Sequence, residues 1–194
     1  MTEQQLTHIG GHPLIDFINT EMTPNGKKVD LLKNNEDIVF WLTDIGILTQ
    51  GALQFDWAED EALLNQVRTF RNKMRAMVAN IVNEEPIAPK YIDIINKALI
   101  HWLGKPRLAQ GDNEQAFEQQ VDFAIETSAQ LVAVIADTAV NFLTTTDLRY
   151  VKQCGNGECI RYFIDTSKNH SRRWCSMEGC GNRMKARAHY ARQK

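Results

Sequence analysis

The placement of its cysteines constrains this chain most. The 194 residues contain four, all beyond residue 150, in the pattern C-x4-C-x15-C-x4-C: Cys154, Cys159, Cys175 and Cys180. Gly155-Asn156-Gly157-Glu158 between the first two is a turn-forming segment that folds both thiolates to one side. Ser176 is placed to cap a helix from Met177, which sets Cys180 about one turn in, facing back toward Cys175. Arg161-Tyr162-Phe163-Ile164 reads as a strand, with Tyr150-Val151-Lys152 as its hairpin partner. A knuckle, a hairpin and a helix bearing the last ligand form a treble-clef arrangement, and four thiolates complete the tetrahedral shell of one structural Zn2+. Free or disulfide-bonded cysteines are the competing reading, and a three-cysteine site would draw its fourth ligand from His170 or His189. A closed four-sulfur shell leaves no position for water or substrate, so this zinc folds the module and does not catalyse. Few apolar residues surround it. Metal binding, worth roughly 10–16 kcal/mol in zinc-finger peptides, would therefore supply most of the module's folding free energy.

The net charge of −2 conceals an asymmetry. From residue 149 onward eleven Lys and Arg face three acids (Glu158, Asp165 and Glu178), whereas residues 1–148 hold eleven basic and twenty-one acidic residues. A basic terminal region of this kind points to nucleic acid. Arg172, Arg173, Arg183, Lys185, Arg187 and Arg192 are the expected phosphate contacts, with Asn169, His170 and Asn182 adding polar ones. If the last helix continues past Cys180, Met184, Ala188 and Ala191 share an apolar stripe that would lie down on the module, with Arg183 and Arg187 on one flank and Lys185, His189 and Arg192 on the other. Asn182 and Arg183, directly after a ligand, also suit bonds to the thiolates. DNA stands ahead of RNA as the partner. The other reading of the charge is docking on the acidic N-terminal domain, which would compete with nucleic acid.

The first 146 residues read as helices. Pro13 suits a first turn with Leu14, Ile15, Phe17 and Ile18 inside. Asn35 is a cap for a helix through Ile38, Phe40, Trp41, Leu42 and Ile45, ended near Gly46, and Asp56 precedes a long amphipathic helix with apolar positions from Leu63 to Val82. Pro86 and Pro89 precede another, with Ile92, Ile95, Leu99 and Trp102 on one side. Leu108 and Phe117 suggest a small hairpin around Gly111-Asp112-Asn113, and a last helix is expected over 121–143. The fold class expected is mainly α: a helical bundle over 1–146 with a small β-hairpin, followed by a treble-clef, zinc-ribbon-like module over 147–194. The start of the chain lacks the basic and apolar regions of a signal peptide, and the most apolar stretch, 131–140, is interrupted by Asp137 and too short to cross a bilayer. A cytoplasmic protein with no membrane partner is expected; the sequence leaves its oligomeric state open.

His12, Asp16 and Asn19 gather polar groups beside a Gly-Gly turn. They are candidates for binding a small-molecule effector, against a structural reading in which Asp16 and Asn19 bond to loop backbone and His12 caps the helix. The chain carries none of G-x-x-x-x-G-K, G-x-S-x-G or H-E-x-x-H, so no catalytic residue is expected, and the enzyme alternative rests on His12 and Asp16 alone.

Two segments carry a family resemblance. Asp165-Thr166-Ser167-Lys168-Asn169-His170-Ser171-Arg172-Arg173-Trp174-Cys175-Ser176-Met177, followed by Cys180-Gly181-Asn182-Arg183, closely resembles the CGNR zinc-finger family. Gly10-Gly11-His12-Pro13-Leu14-Ile15-Asp16-Phe17-Ile18-Asn19-Thr20 resembles the opening of the ABATE domain that accompanies it. The resemblance implies a bacterial, zinc-ribbon-like, stress-induced transcription regulator that binds RNA.

Overall fold

The computed structural model describes residues 8–48, 51–111, 113, 116–122 and 124–193. Its innermost element is its shortest helix, α1 (Pro13–Ile18). Pro13 occupies the first turn, where no N–H is required, and His12 Nδ1 accepts the Leu14 N–H at 3.1 Å. Leu14, Ile15, Phe17 and Ile18 are all fully buried. Six residues make no stable helix in water, so packing against later helices holds α1 in place. The chain then makes a short antiparallel pair, β1 (Glu21–Met22) with β2 (Val29–Asp30), in register Glu21 to Asp30.

In α2 (Asn35–Asp44) the cap is Asn34, whose Oδ1 accepts the Asp37 N–H at 2.9 Å. The expected cap, Asn35, is instead the first helical residue, and its buried Nδ2 donates to the carbonyls of Trp57 (2.8 Å) and Asp60 (2.9 Å), pinning the loop that follows. Trp41 packs on Phe17 with ring centroids 5.2 Å apart.

The spine is α3 (Leu63–Val82), prepared by Asp60 rather than Asp56: Asp60 Oδ1 accepts from Ala62 N (2.9 Å) and Leu63 N (3.2 Å). Leu63, Val67, Phe70, Met74, Met77 and Val78 are buried at three- and four-residue steps. Among them sits Arg71, 2% exposed, which forks onto the Asp30 carboxylate at 2.7 and 2.6 Å and donates to Thr20 Oγ1 at 2.9 Å. A bare guanidinium there would be prohibitively costly, and the two-pronged pair offsets that cost. Helix α4 (Pro89–Leu99) buries Tyr91 and Ile95, with Ala98 half-buried in line with them. Ile92, expected inside, is off that stripe and 48% exposed, and Trp102 lies beyond the helix end.

The expected helix over 121–143 begins later. Residues 117–122 form β4 (Phe117–Asp122), antiparallel to β3 (Lys105–Gln110), so the small hairpin is longer than anticipated. Gly111 N donates to Ala116 O at 2.8 Å near the hairpin's end, and Asp112 of the expected turn is outside the described residues. Ile125 is buried through extended pairing, its N–H reaching Ala52 O (2.8 Å) and its carbonyl Gln54 N (2.7 Å). Only then does Thr127 cap α5 (Ser128–Thr145), accepting from Gln130 N at 3.3 Å.

Helices α1 to α5 share one apolar core. Two residues of the C-terminal part belong to it as well: Val151 of β5 (Val151–Gln153) and Tyr162 of β6 (Tyr162–Ile164), which pair antiparallel with Val151 opposite Ile164. After β6 come a wide helical turn, Met177–Gly181, and α6 (Asn182–Arg192). The architecture is therefore the mainly α body and small C-terminal module expected. Among the described residues no helix is long and apolar enough to cross a membrane.

Candidate metal centre and its basic helix

The C-terminal module is organised around its sulfurs. Cys154 leaves β5 with its N–H bonded to Arg161 O (2.9 Å), and Cys159 N closes the knuckle on Asn156 O (2.7 Å). Asn156 is buried; its Oδ1 accepts from Glu158 N (3.3 Å) and its Nδ2 reaches Cys180 Sγ (3.6 Å). Cys175 N points at Cys154 Sγ from 3.4 Å. Ser176 Oγ accepts from Gly179 N at 3.0 Å and so starts the turn that carries Cys180 inward. Two glycines permit close approach: a Cβ on Gly155 would stand 3.1 Å from Arg173 O and 3.2 Å from the Trp174 ring, and one on Gly181 would displace the Met177 side chain, 2.5 Å away at Sδ.

All four sulfurs lie within 4.8 Å of one another; Cys159 to Cys175 is 3.8 Å and Cys175 to Cys180 is 3.7 Å. These separations are far too long for a disulfide, whose sulfurs lie about 2.05 Å apart. A tetrahedron of 2.3 Å zinc–sulfur bonds has edges of about 3.8 Å, so the set fits one Zn2+. The chemistry of the donors agrees. The sulfurs share protons: hydrogen bonds from Cys159 and Cys175 hold Cys154 down, while bonding with Cys154 and burial push Cys159 and Cys175 up. Thiols so crowded need a cation to ionise together, which Zn2+ supplies. The zinc is structural. Neither spare histidine joins the sulfur cluster: His170 Nδ1 lies 2.9 Å from Asp165 O, and His189 is exposed on α6.

The segment between the cysteine pairs is held by Asp165, a fully buried carboxylate whose structural role its place in the motif does not announce. It accepts from Lys152 Nζ (2.7 Å), Ser167 Oγ (2.6 Å), Ser167 N (3.0 Å) and Arg172 N (2.9 Å). Burial would raise its pKa, but the Lys152 ammonium and the Ser167 donors outweigh that and hold the carboxyl well below the ordinary range. Arg172, expected at phosphate, is built into the module instead. Its guanidinium lies 4.3 Å over the Phe163 ring and donates to the carbonyls of Cys175 (2.5 Å), Trp174 (3.1 Å) and Ile9 (3.1 Å).

The other basic candidates are placed outward. Arg173, Lys185 and Arg187 are exposed and Arg183 is half-buried. Arg187 donates to both oxygens of Glu158, at 2.8 and 2.7 Å, in an exposed pair. The side chain of Arg192 is outside the described part. The apolar stripe of α6 does not lie down: Met184 is half-buried, but Ala188, Tyr190 and Ala191 are exposed, because one methionine and two methyls offer too little surface to hold a helix against the module. Asn182, likewise, is exposed, and the amide on the thiolates is that of Asn156.

His12, Asp16 and Asn19 all bond within the fold. His12 Nε2 meets Asn141 Oδ1 at 2.9 Å while its Nδ1 caps α1. Asp16 accepts the Gly10 N–H at 2.8 Å, and burial raises its pKa. Asn19 clamps Tyr162 in both directions, Nδ2 to its carbonyl (2.8 Å) and Oδ1 to its N–H (2.9 Å). The space lined by Asp16 and Asn19 is about 10 Å3, the room of one water. The same N-terminal segment holds the module elsewhere: Gly10 O accepts from Ile164 N (2.8 Å) and Ile9 O from Arg172. From α3, Arg75 donates to Ile160 O and Glu21 O, both at 2.8 Å, and also to Ile18 O; burial draws its pKa down to about 10, so it stays charged at neutral pH. The two motif-bearing ends of the sequence thus form one joint.

Comparison with known families gives two matches. Residues 150–193 match the CGNR zinc finger, and residues 11–146 match ABATE, described as a putative stress-induced transcription regulator. No curated protein matches the chain. With most of its length in the second match and its zinc module in the first, the chain belongs to the ABATE family and carries a CGNR zinc finger at its C-terminal end.

Proposed function

We propose that the protein is a cytoplasmic bacterial transcription regulator that binds nucleic acid through the zinc module, with residues 1–146 as the body that presents residues 147–194. The observation that carries this reading is α6. Its residues 185–191 are exposed, it holds Arg183, Lys185 and Arg187, and no acid follows Glu178 in the sequence. A helix with so small an apolar stripe has little to bury, and its charge can turn to phosphates, since the Arg187–Glu158 pair is solvent-exposed and weak. Arg173, beside the zinc knuckle, adds to that surface, whereas Arg172 serves by fixing the segment from which Arg173 projects.

Docking of the basic part on the acidic domain, the alternative from sequence, is supported differently than expected. The module does dock, but through β5, β6 and a clasp of Asn19, Gly10 and the Arg75 guanidinium on backbone groups, not through its basic surface. That leaves α6 free, so docking and nucleic-acid binding do not compete for it. A signal that released the module would have to pull Tyr162 and Val151 out of the common core. For an effector at His12, Asp16 and Asn19 the polar atoms are already bonded, and the space that Asp16 and Asn19 line, away from His12, is about that of one water. The experiment is titration of the zinc-loaded chain with labelled nucleic acid across a salt series. Arg183→Ala with Arg187→Ala should weaken binding to every sequence and flatten the log–log salt slope by about one unit per residue. An unchanged slope removes α6 from the interface.

A further inference from the structure

A groove runs along the module on the side that carries Arg173. One part, about 600 Å3, is lined by Val82, Glu84, Arg149, Lys152, His170 and Arg173 among others. It shares Ser171, Arg172 and Arg173 with a second part of about 370 Å3 that Trp174 and Met177 complete. Two flat rings face this groove. The His170 imidazole lies parallel to the Tyr150 ring, 3.6 Å from it with 9° between the planes, and the residue is otherwise exposed. It is held from three sides. Tyr150 backs the ring, Nδ1 is bonded to Asp165 O, and its carbonyl accepts from Lys152 Nζ at 2.6 Å. Its backbone φ is +46°, a conformation a non-glycine residue keeps only where its surroundings impose it. The second ring is Trp174, packed at its edges against Gly155 and Gly181, with the Arg173 guanidinium 5.2 Å over it. Glu84 is the acid lining the groove; of the cations there, Arg149 pairs with Asp147, Lys152 with Asp165, and Arg172 donates to carbonyls, while the Arg173 guanidinium lies exposed over Trp174.

We infer that this groove binds a single strand of nucleic acid, one base stacking on His170 and another at the Arg173–Trp174 pair, with the backbone following the arginines toward α6. The inference rests on the nucleic-acid reading above and names its substrate class. Inside a duplex every base face is covered by its neighbours, so a fixed, exposed ring gains nothing from it. In a single strand the faces are free and stack on aromatic or guanidinium planes without regard to sequence. The bonds to its N–H, its carbonyl and Nδ1, with Tyr150 behind it, hold the His170 ring in place with one face outward.

The test uses the full zinc-loaded chain and three fluorescein-labelled probes: a 12-nucleotide DNA strand of mixed sequence, the same strand as RNA, and its DNA duplex. Anisotropy should show at least one single strand bound roughly tenfold tighter than the duplex. His170→Asn removes the ring while keeping a residue that accepts positive φ; it should lower single-strand affinity about tenfold and leave the duplex unaffected. Zinc content and circular dichroism establish that the variant is folded. Should it not fold, photocrosslinking of a 5-iodouracil-substituted strand to the unaltered chain decides: adducts at Tyr150, His170 or Trp174 support the groove, and adducts confined to α6 overturn it. Equal or tighter duplex binding that ignores His170→Asn also overturns the groove alone. Failure of all three probes to bind overturns the nucleic-acid reading itself.

Discussion

The helical body and the zinc module solve the same problem with different materials. The body buries apolar side chains from α1 and the four helices around it, and its buried Arg71 is paired with Asp30. The module has Phe163 and four cysteines at its centre, with Ile9 and Trp174 beside them. One is held by surface removed from water, the other by bonds to a metal. The difference teaches where each is vulnerable, and the joint between them makes the vulnerability shared.

Removing the metal should have the largest effect. Cys180→Ser, or chelation, is expected to abolish bound zinc by elemental analysis and to abolish nucleic-acid binding, while most helical ellipticity survives. The melting temperature of the body should nevertheless fall by several degrees, because Val151 and Tyr162 lose their fixed positions in its core. An unchanged body would show that the two regions are independent. A smaller effect, about 3 kcal/mol, is expected from Asn19→Ala, which leaves the buried N–H and carbonyl of Tyr162 without partners; denaturant unfolding measures it, with zinc content preserved. The smallest concerns acid. Folding holds the Asp165 pKa down, so its contribution is present above the ordinary carboxylate pKa near 4 and is lost as pH falls through the lower folded value. Asp165→Asn should cost about 2 kcal/mol at pH 7 and narrow toward zero difference in acid, on top of the zinc release that acid causes in both proteins. A constant difference across pH would show that Asp165 acts by shape alone.

The sequence was most legible where spacing is itself the chemistry. Four cysteines in two close pairs, Ser176 as a cap and the strand around Phe163 needed no knowledge of the rest of the fold. The long stripe of α3 was legible because burial on one face repeats with the helical turn. What stayed hidden depended on partners far along the chain. Val121 and Ile125 read as a continuation of α5 since the sequence does not show that Ala52 and Leu53 would draw Ile125 into an extended bridge. Arg71 and Arg75 look like ordinary surface arginines until Asp30 and Ile160 are brought beside them. Arg172 and Arg173 are neighbours of one type; only the position of Phe163 turns the first inward. The presence of two specific motifs at opposite ends was the one signal that could have announced their contact.

The clasp that Gly10, Ile9 and Asn19 make on residues 162–172 sets the order in which the molecule can be finished. These groups are made some 140 to 160 positions before their partners. A growing chain therefore carries an inner helix with an open seat until residues 162–172 emerge and the cysteines capture their ion. A product cut short before Tyr162 would expose that seat, marking itself for proteolysis.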